Sequence, residues 1–116
     1  MRGQVVRNFC TTGDNPCKGV EIATAPGTAV LASSAGKVIY SGDGIRGYGN
    51  LLIIKHDKEF FSVYGFNEKN LVKSGAFVSK GQKIALSGTP PGGGKARLHF
   101  EIRHGKQSVD PALYLP

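Results

Sequence analysis

The sequence is short of several features that would assign it at once to a class of protein. Its 116 residues contain no tryptophan and only two cysteines. No window approaches the roughly 18 consecutive apolar residues that a membrane-spanning helix needs. The chain is therefore not expected to cross a membrane by itself, and its length suits a single domain with one modest hydrophobic core.

Acidic residues are also scarce. Eight Asp and Glu stand against 15 Lys and Arg, which gives a formal net charge of +7. This excess predicts attraction to nucleic acid, to anionic polymers of the cell envelope or to an acidic protein segment, although a basic surface can also serve solubility alone. Basic and aromatic residues are only weakly interleaved, and no nucleic-acid motif is present, so we expect no nucleic-acid partner.

The two cysteines, Cys10 and Cys17, have six residues between them. This spacing is wider than the Cys-x-x-Cys of zinc ribbons and redox motifs. It is compatible with a disulfide in an oxidising compartment and equally with two separate thiols. No signal peptide precedes the first strand pattern, so we expect a domain cut from a longer protein.

Apolar residues come in short runs separated by turn residues, among them many of the 17 glycines and 6 prolines. Such a pattern predicts a mainly β domain, an antiparallel sandwich or half-barrel with at most short helices, over residues 1–116. One short helix around residues 67–71, or a turn at residues 111–114, is the only helical candidate. The predicted strands are "QVVRNF", "GVEIAT", "AVLAS", "GKVIYSGD", "NLLIIKHD", "FFSVYGF", "QKIALSG" and "LHFEIR".

The last strand raises a question about function. Side chains of a strand alternate between its two faces, so Leu98, Phe100 and Ile102 share one face. The opposite face carries charged and polar residues: Arg97, His99, Glu101 and Arg103. An arginine and a histidine two residues apart, directly after a glycine-rich turn, suggest the remains of a metal site, a working site of another kind or an ordinary solvated sheet face.

Taken in order, the motifs resemble the LytM/lysostaphin-type zinc metallopeptidase domain, which cuts peptide cross-links of bacterial cell walls. The resemblance covers about residues 3–116 and is most specific in "RGYGNLLIIKHD" and "LHFEIRHGKQSVDPALYLP". These segments are most similar to the degenerate LytM domains of Gram-negative murein hydrolase activators. The motifs that carry the resemblance are "KGVEIA", "GTAVLASSAGKVIYSGDGIRGYGNLLIIKHD", "FFSVYGF", "VSKGQKIALSGTPPGG" and "RLHFEI".

The resemblance locates five functional positions, of which only His99 keeps the residue type of an active enzyme. The three zinc-ligand positions fall on Cys17, Glu21 and His99. The two positions of the assisting histidines fall on Phe66 and Arg97. Phenylalanine cannot transfer a proton, and arginine neither ligates a metal nor acts as a base.

These replacements predict a catalytically inactive peptidase homologue without a metal cofactor. A fixed cation at Arg97 would oppose a divalent cation beside it, and its guanidinium fork suits the carboxylate of Glu21. We therefore expect Arg97 to pair with Glu21. The alternative is a zinc endopeptidase with altered ligands, because cysteine, glutamate and histidine can all bind zinc.

The resemblance implies a non-catalytic regulator that binds and activates a cell-wall N-acetylmuramoyl-L-alanine amidase in daughter-cell separation. It implies a periplasmic, envelope location, with membrane attachment only through preceding parts, as in an outer-membrane lipoprotein. A peptidoglycan-binding scaffold is the alternative, and peptidoglycan is a second candidate partner. Phe66 would supply an apolar anchor and Arg97 a charged one. The residues expected to form the partner groove are Glu21, Tyr64, Phe66, Arg97 and His99.

Other polar residues receive simpler interpretations. His56, which closes the strand "NLLIIKHD", is interpreted as a polar strand-end or groove-wall residue. His104 is expected to be solvated. Tyr48, like Tyr64, is either an aromatic wall of the groove or a half-buried core residue.

Overall fold

The computed structural model describes residues 4–7, 20–45, 47–90, 93–104 and 107–109. Within these residues the only helical segment is a 3-10 turn at Asp57–Glu59, and none of the helical structure is long or apolar enough to span a membrane. The predicted antiparallel β fold is therefore confirmed. The strands are β1 (Gln4–Arg7), β2 (Val20–Ala23), β3 (Ala29–Leu31), β4 (Gly36–Gly42), β5 (Asn50–Lys55), β6 (Phe60–Asn70), β7 (Phe77–Val78), β8 (Lys83–Ser87), β9 (Arg97–His104) and β10 (Gln107–Val109).

Every strand pairing in the sheet is antiparallel, in the order β1-β2-β9-β6-β5-β4-β7. Strand β10 pairs with β9, and β3 pairs with β8. The long strand β6 pairs with β5 and β9 along its first part and with β8 along its end, past an irregularity between Asn67 and Lys69. An irregularity of this kind bends a strand, which lets one strand serve two parts of the sheet.

All eight predicted strands are present, and two short ones, β7 and β10, were not predicted. The helix predicted around residues 67–71 is wrong, because residues 67–70 continue β6. There the side-chain amide of Asn67 donates to the Tyr64 carbonyl and to Asn70 Oδ1. These two bonds hold the segment in its place within β6. The predicted turn at residues 111–114 lies outside the described residues.

The hydrophobic core lies on one face of the curved sheet. Leu98, Phe100 and Ile102 of β9 are at most 4% exposed, as their alternation predicted. They pack with Leu52 and Ile54 of β5 in one cluster of buried residues. The other face of the same strands, called the outer face below, carries the polar residues of β9.

His56 connects strand ends at the edge of the core, which confirms its interpretation as a polar strand-end residue. Its Nδ1 lies 2.7 Å from the Ala35 carbonyl and its Nε2 lies 2.7 Å from Ser62 Oγ. A carbonyl only accepts, so Nδ1 carries the proton and the Ser62 hydroxyl donates to Nε2. His104 is exposed, as expected, and stacks on Phe60 with ring centroids 4.5 Å apart.

Candidate functional site

Strand register brings the site residues together on the outer face. Glu21 of β2 and Gly65 of β6 both lie opposite His99 of β9, on either side of it. Side chains directly opposite on paired strands lie about 5 Å apart. Arg97 is two residues before His99 and projects from the same face. We call the surface formed by the side chains of Glu21, Arg97, His99, Phe66 and Tyr48 the candidate groove.

Arg97 pairs with Glu21, which confirms the pairing predicted from the sequence. Arg97 Nε lies 3.1 Å from Glu21 Oε1, and the Glu21 side chain is only 9% exposed, against 33% for Arg97. The Nε–H is not aligned for a hydrogen bond in this contact, so the interaction is an ion pair. The guanidinium carbon also lies 5.9 Å from the centre of the Phe66 ring. The cation is thus held between a carboxylate and an aromatic face.

Among the described residues, only one of the two ring nitrogens of His99 has a hydrogen-bond partner. Its Nε2 lies 2.7 Å from Glu101 Oε2, and its ring packs between Tyr48 and Phe66 at centroid distances of 5.3 and 5.4 Å. A carboxylate only accepts, so Nε2 carries the proton. Within the described part of the chain, the buried Nδ1 has no hydrogen-bond partner.

Glu101 organises the floor of the candidate groove, although sequence reasoning gave it no role. It is completely buried. Its carboxylate accepts bonds from His99, from the Tyr48 hydroxyl at 3.0 Å and from Arg103 Nη2 at 2.7 Å. Burial raises the pKa of Glu101, but the hydrogen bonds and charges of His99 and Arg103 outweigh that effect and hold the pKa below its ordinary value. Burial, and then the Glu101 charge, raises the pKa of Tyr48.

Phe66 adopts a backbone conformation that is uncommon for a bulky residue. Its φ is +65°, in the left-handed region, and its N–H donates to the Tyr48 carbonyl at 2.8 Å. Strain of this kind persists where the surroundings over-determine it and concentrates at functional sites. Phe66 is only 8% exposed, so it packs against Arg97 and is not itself an open anchor.

The prediction that Tyr64 lines the groove is wrong. Tyr64 is fully buried in the core, where its hydroxyl donates to Ser33 Oγ at 3.1 Å and accepts from the Ser33 N–H at 2.9 Å. Alternation along β6 places it on the core face. Tyr48, the other tyrosine considered from sequence, contacts His99 instead.

The described residues do not fit a catalytic zinc ion. A catalytic zinc takes three protein ligands. Of the three positions that the resemblance assigns to zinc ligands, Cys17 lies outside the described residues, as does the proposed Cys10–Cys17 disulfide. The other two, Glu21 and His99, lie opposite each other. The Arg97 cation contacts Glu21 at 3.1 Å and would repel a divalent cation bound to the same carboxylate.

Fold and site together define a peptidase-like β domain with an arginine–glutamate ion pair on its outer face. The chain belongs to peptidase family M23, whose family model matches residues 15–111. This membership confirms the resemblance to LytM-type domains on which the site residues were assigned.

Curated relatives carry regulatory and lipoprotein names. The chain is 46% identical over 115 residues to the murein hydrolase activator NlpD of Salmonella dublin, covering 98% of this chain and 30% of that protein. It is 46% identical over 114 residues to outer membrane antigenic lipoprotein B of Haemophilus influenzae, covering 98% of this chain and 28% of that protein. The chain therefore spans less than a third of the length of these relatives.

Solved structures give the same fold. The catalytic domain of lysostaphin from Staphylococcus simulans superimposes with a TM-score of 0.87 at 26% identity, covering 97% of this chain and 91% of that one. A zinc-containing peptidase from Vibrio cholerae gives a TM-score of 0.86 at 32% identity, covering 93% of this chain and 35% of that one.

Proposed function

We propose that this chain is the non-catalytic LytM domain of a murein hydrolase activator in the cell envelope. Through the candidate groove it would bind a cell-wall N-acetylmuramoyl-L-alanine amidase and stimulate it during daughter-cell separation. The names of the NlpD and lipoprotein relatives support the class of function and the envelope location. The ion pair between Arg97 and Glu21 carries the proposal, because it puts a cation against a residue that the resemblance assigns to a zinc-ligand position.

Arg97 is the residue through which a partner would be recognised. Its side chain is one-third exposed, whereas Glu21 and Phe66, which hold it, are buried. A fixed, partly desolvated guanidinium can bind a carboxylate of a partner segment in a bidentate manner. Arginine and aromatic residues also dominate the energetics of protein interfaces. An acidic segment of the amidase is therefore the expected ligand of the groove.

Substituting Arg97→Ala is expected to reduce stimulation of the amidase about tenfold or more, because an interface anchor of this type contributes about 2 kcal/mol. Arg97→Lys keeps the charge but loses the fork, so we expect an intermediate loss. Rates of dye release from labelled wall sacculi, measured at fixed amidase concentration, give the comparison.

A matched substitution of an exposed lysine, Lys69→Ala, removes one positive charge outside the candidate groove and should leave stimulation unchanged. If Arg97→Ala and Lys69→Ala stimulate the amidase equally well, the groove assignment is wrong. If the wild-type domain pellets with sacculi yet never changes the amidase rate, the domain is a wall-binding scaffold instead.

A further inference from the structure

A second row of side chains crosses the outer face at the opposite end of the strands from Arg97. Successive register pairs join Phe77 to Lys37, Lys37 to Lys55, Lys55 to Phe61 and Phe61 to Arg103. Residues directly opposite share one face of a sheet, so all five side chains project from the outer face. We call Phe77, Lys37, Lys55 and Phe61 the basic–aromatic row, with Arg103 at its end. It spans five strands, or about 19 Å.

The row combines one highly exposed aromatic ring with exposed lysines. Phe77 is 79% exposed, the largest exposure of a large apolar residue in the described part of the chain. Lys37 and Lys55 are both exposed, and the Lys37 ammonium lies 5.8 Å from the centre of the Phe77 ring. The row therefore presents an accessible ring next to two accessible cations.

Lys37 and Lys55 also lie directly opposite each other on paired strands. Like charges directly opposite on paired strands destabilise a sheet. Among the described residues, no carboxylate lies within the 4.0 Å ion-pair distance of either ammonium. Asp57 lines a surface hollow together with both lysines, but neither lysine forms an ion pair with it. An anion bound between the lysines would relieve this repulsion.

Surface hollows lie along the row at both ends. One, of about 430 Å³, is lined by Lys37, Lys55 and Phe77. The other, of about 220 Å³, is lined by Phe61 and Arg103 together with aliphatic side chains of neighbouring strands. The row is elongated, runs perpendicular to the strands and places two adjacent lysines between two aromatic rings, with Arg103 at its end.

We propose that the basic–aromatic row binds an anionic wall glycan, a linear polymer of sugar rings whose attached peptides bear carboxylates. Aromatic faces pack against apolar ring faces, and the lysines match the carboxylates in charge. A peptide strand is a poorer fit, because most of the row crosses the sheet face and offers no free backbone edge for strand addition.

This inference goes beyond the proposed function, since the row contains no residue of the candidate groove. Arg103 and His99 are four residues apart on β9, so the two surfaces are separated by about 13 Å along the strands. A domain that held the wall with one surface and the amidase with the other would raise the effective concentration of enzyme at its substrate.

The test compares the triple variant Lys37→Gln, Lys55→Gln, Phe77→Ala with wild type in pelleting assays on protein-free wall sacculi. All three side chains are exposed, so the variant is expected to fold normally. We expect binding to fall about tenfold or more, equivalent to about 1.4 kcal/mol. The double variant Lys69→Gln, Lys83→Gln makes the same charge change at exposed lysines outside the row and should bind within about twofold of wild type.

Chemical blocking and competition identify the ligand class. Amidating the carboxylates of the sacculi should weaken wild-type binding to the level of the triple variant, and soluble wall glycan fragments should compete whereas polyglutamate should not. Unchanged binding by the triple variant would overturn the assignment of the row. If polyglutamate competed equally well, the assignment of a glycan as the ligand would be wrong. It would also be wrong if the triple variant lost binding to anionic lipid vesicles but not to sacculi. Direct amidase binding should be equal in wild type and triple variant, which separates this inference from the proposed function.

Discussion

Substituting Glu101→Gln is expected to lower the free energy of unfolding by about 3 kcal/mol, as found when one partner of a buried ion pair is removed. The Glu101 side chain is 0% exposed and its Oε1 accepts two bonds from Arg103, at 2.7 and 3.0 Å. Glutamine keeps the shape of the side chain but has no negative charge to pair with Arg103. Its amide NH2 group, a donor, would lie where His99 and Tyr48 need an acceptor. Chemical denaturation at neutral pH, with unchanged slope, measures the loss.

The same substitution changes the pH dependence of stability. The folded pKa of Glu101 lies below its ordinary value of 4.5. A lowered folded pKa means that the carboxylate's contribution is fully present above the unfolded pKa and is lost as the pH falls through the folded pKa. The difference in stability between wild type and Glu101→Gln should therefore be largest at neutral pH and should shrink below about pH 4.5.

An exposed glutamate provides the control for this prediction. Glu68→Gln removes the same charge from an exposed position of β6 and should change stability by no more than about 0.5 kcal/mol. If Glu101→Gln and Glu68→Gln were equally stable at every pH, Glu101 would not be the anion on which the floor of the candidate groove depends.

Substituting Gly36→Ala is expected to destabilise the fold by about 3 kcal/mol, the upper range for an overpacked site. A Cβ at this position would lie 2.3 Å from the Lys55 carbonyl oxygen and 2.9 Å from His56 Nδ1. The first contact is with backbone, so β4 and β5 would have to separate where Lys37 and Lys55 face each other. Thermal or chemical unfolding measures the effect directly.

Gly42→Ala is the matched control on the same strand. A Cβ at Gly42 would meet only the end of the Tyr40 side chain, at 3.3 Å from its hydroxyl oxygen, and that side chain can move. We expect a change of about 0.5 kcal/mol or less. Equal stabilities of the two variants would show that the close approach of β4 and β5 at Gly36 does not limit the fold.

The sequence predicts the strands well because alternation and turn residues are local signals. The buried face of β9 and the pairing of Arg97 with Glu21 could both be inferred without coordinates. The pairing required the resemblance to active enzymes, which identified both residues as replaced functional positions. Residues 67–70 were misread as helical because nothing local indicates that β8 adds to the end of β6.

The error at Tyr64 has a specific physical cause. Simple alternation places residues 64 and 66 on the same face of β6. The positive φ of Phe66 breaks that alternation, so Tyr64 packs in the core while Phe66 contacts His99 and Arg97 on the outer face. A left-handed phenylalanine leaves no mark in the sequence, because only tertiary contacts select it.

The basic–aromatic row could not be predicted from the sequence, for a different reason. Its members are distant in sequence, at positions 37, 55, 61 and 77, and become neighbours only through the register of four adjacent strands. Basic and aromatic residues are therefore weakly interleaved along the chain but lie side by side across the sheet. The same holds for Glu101, whose partner Tyr48 is 53 residues away.

We propose that this M23 domain stimulates a hydrolase and does not itself cut the wall. The most direct test of this proposal is the zinc content of the purified domain by elemental analysis, measured together with dye release from wall sacculi with and without a candidate amidase. We expect no stoichiometric zinc, no dye release by the domain alone and increased release when the amidase is present. Stoichiometric zinc with release by the domain alone would contradict it and would make Cys17, Glu21 and His99 the ligands to substitute next.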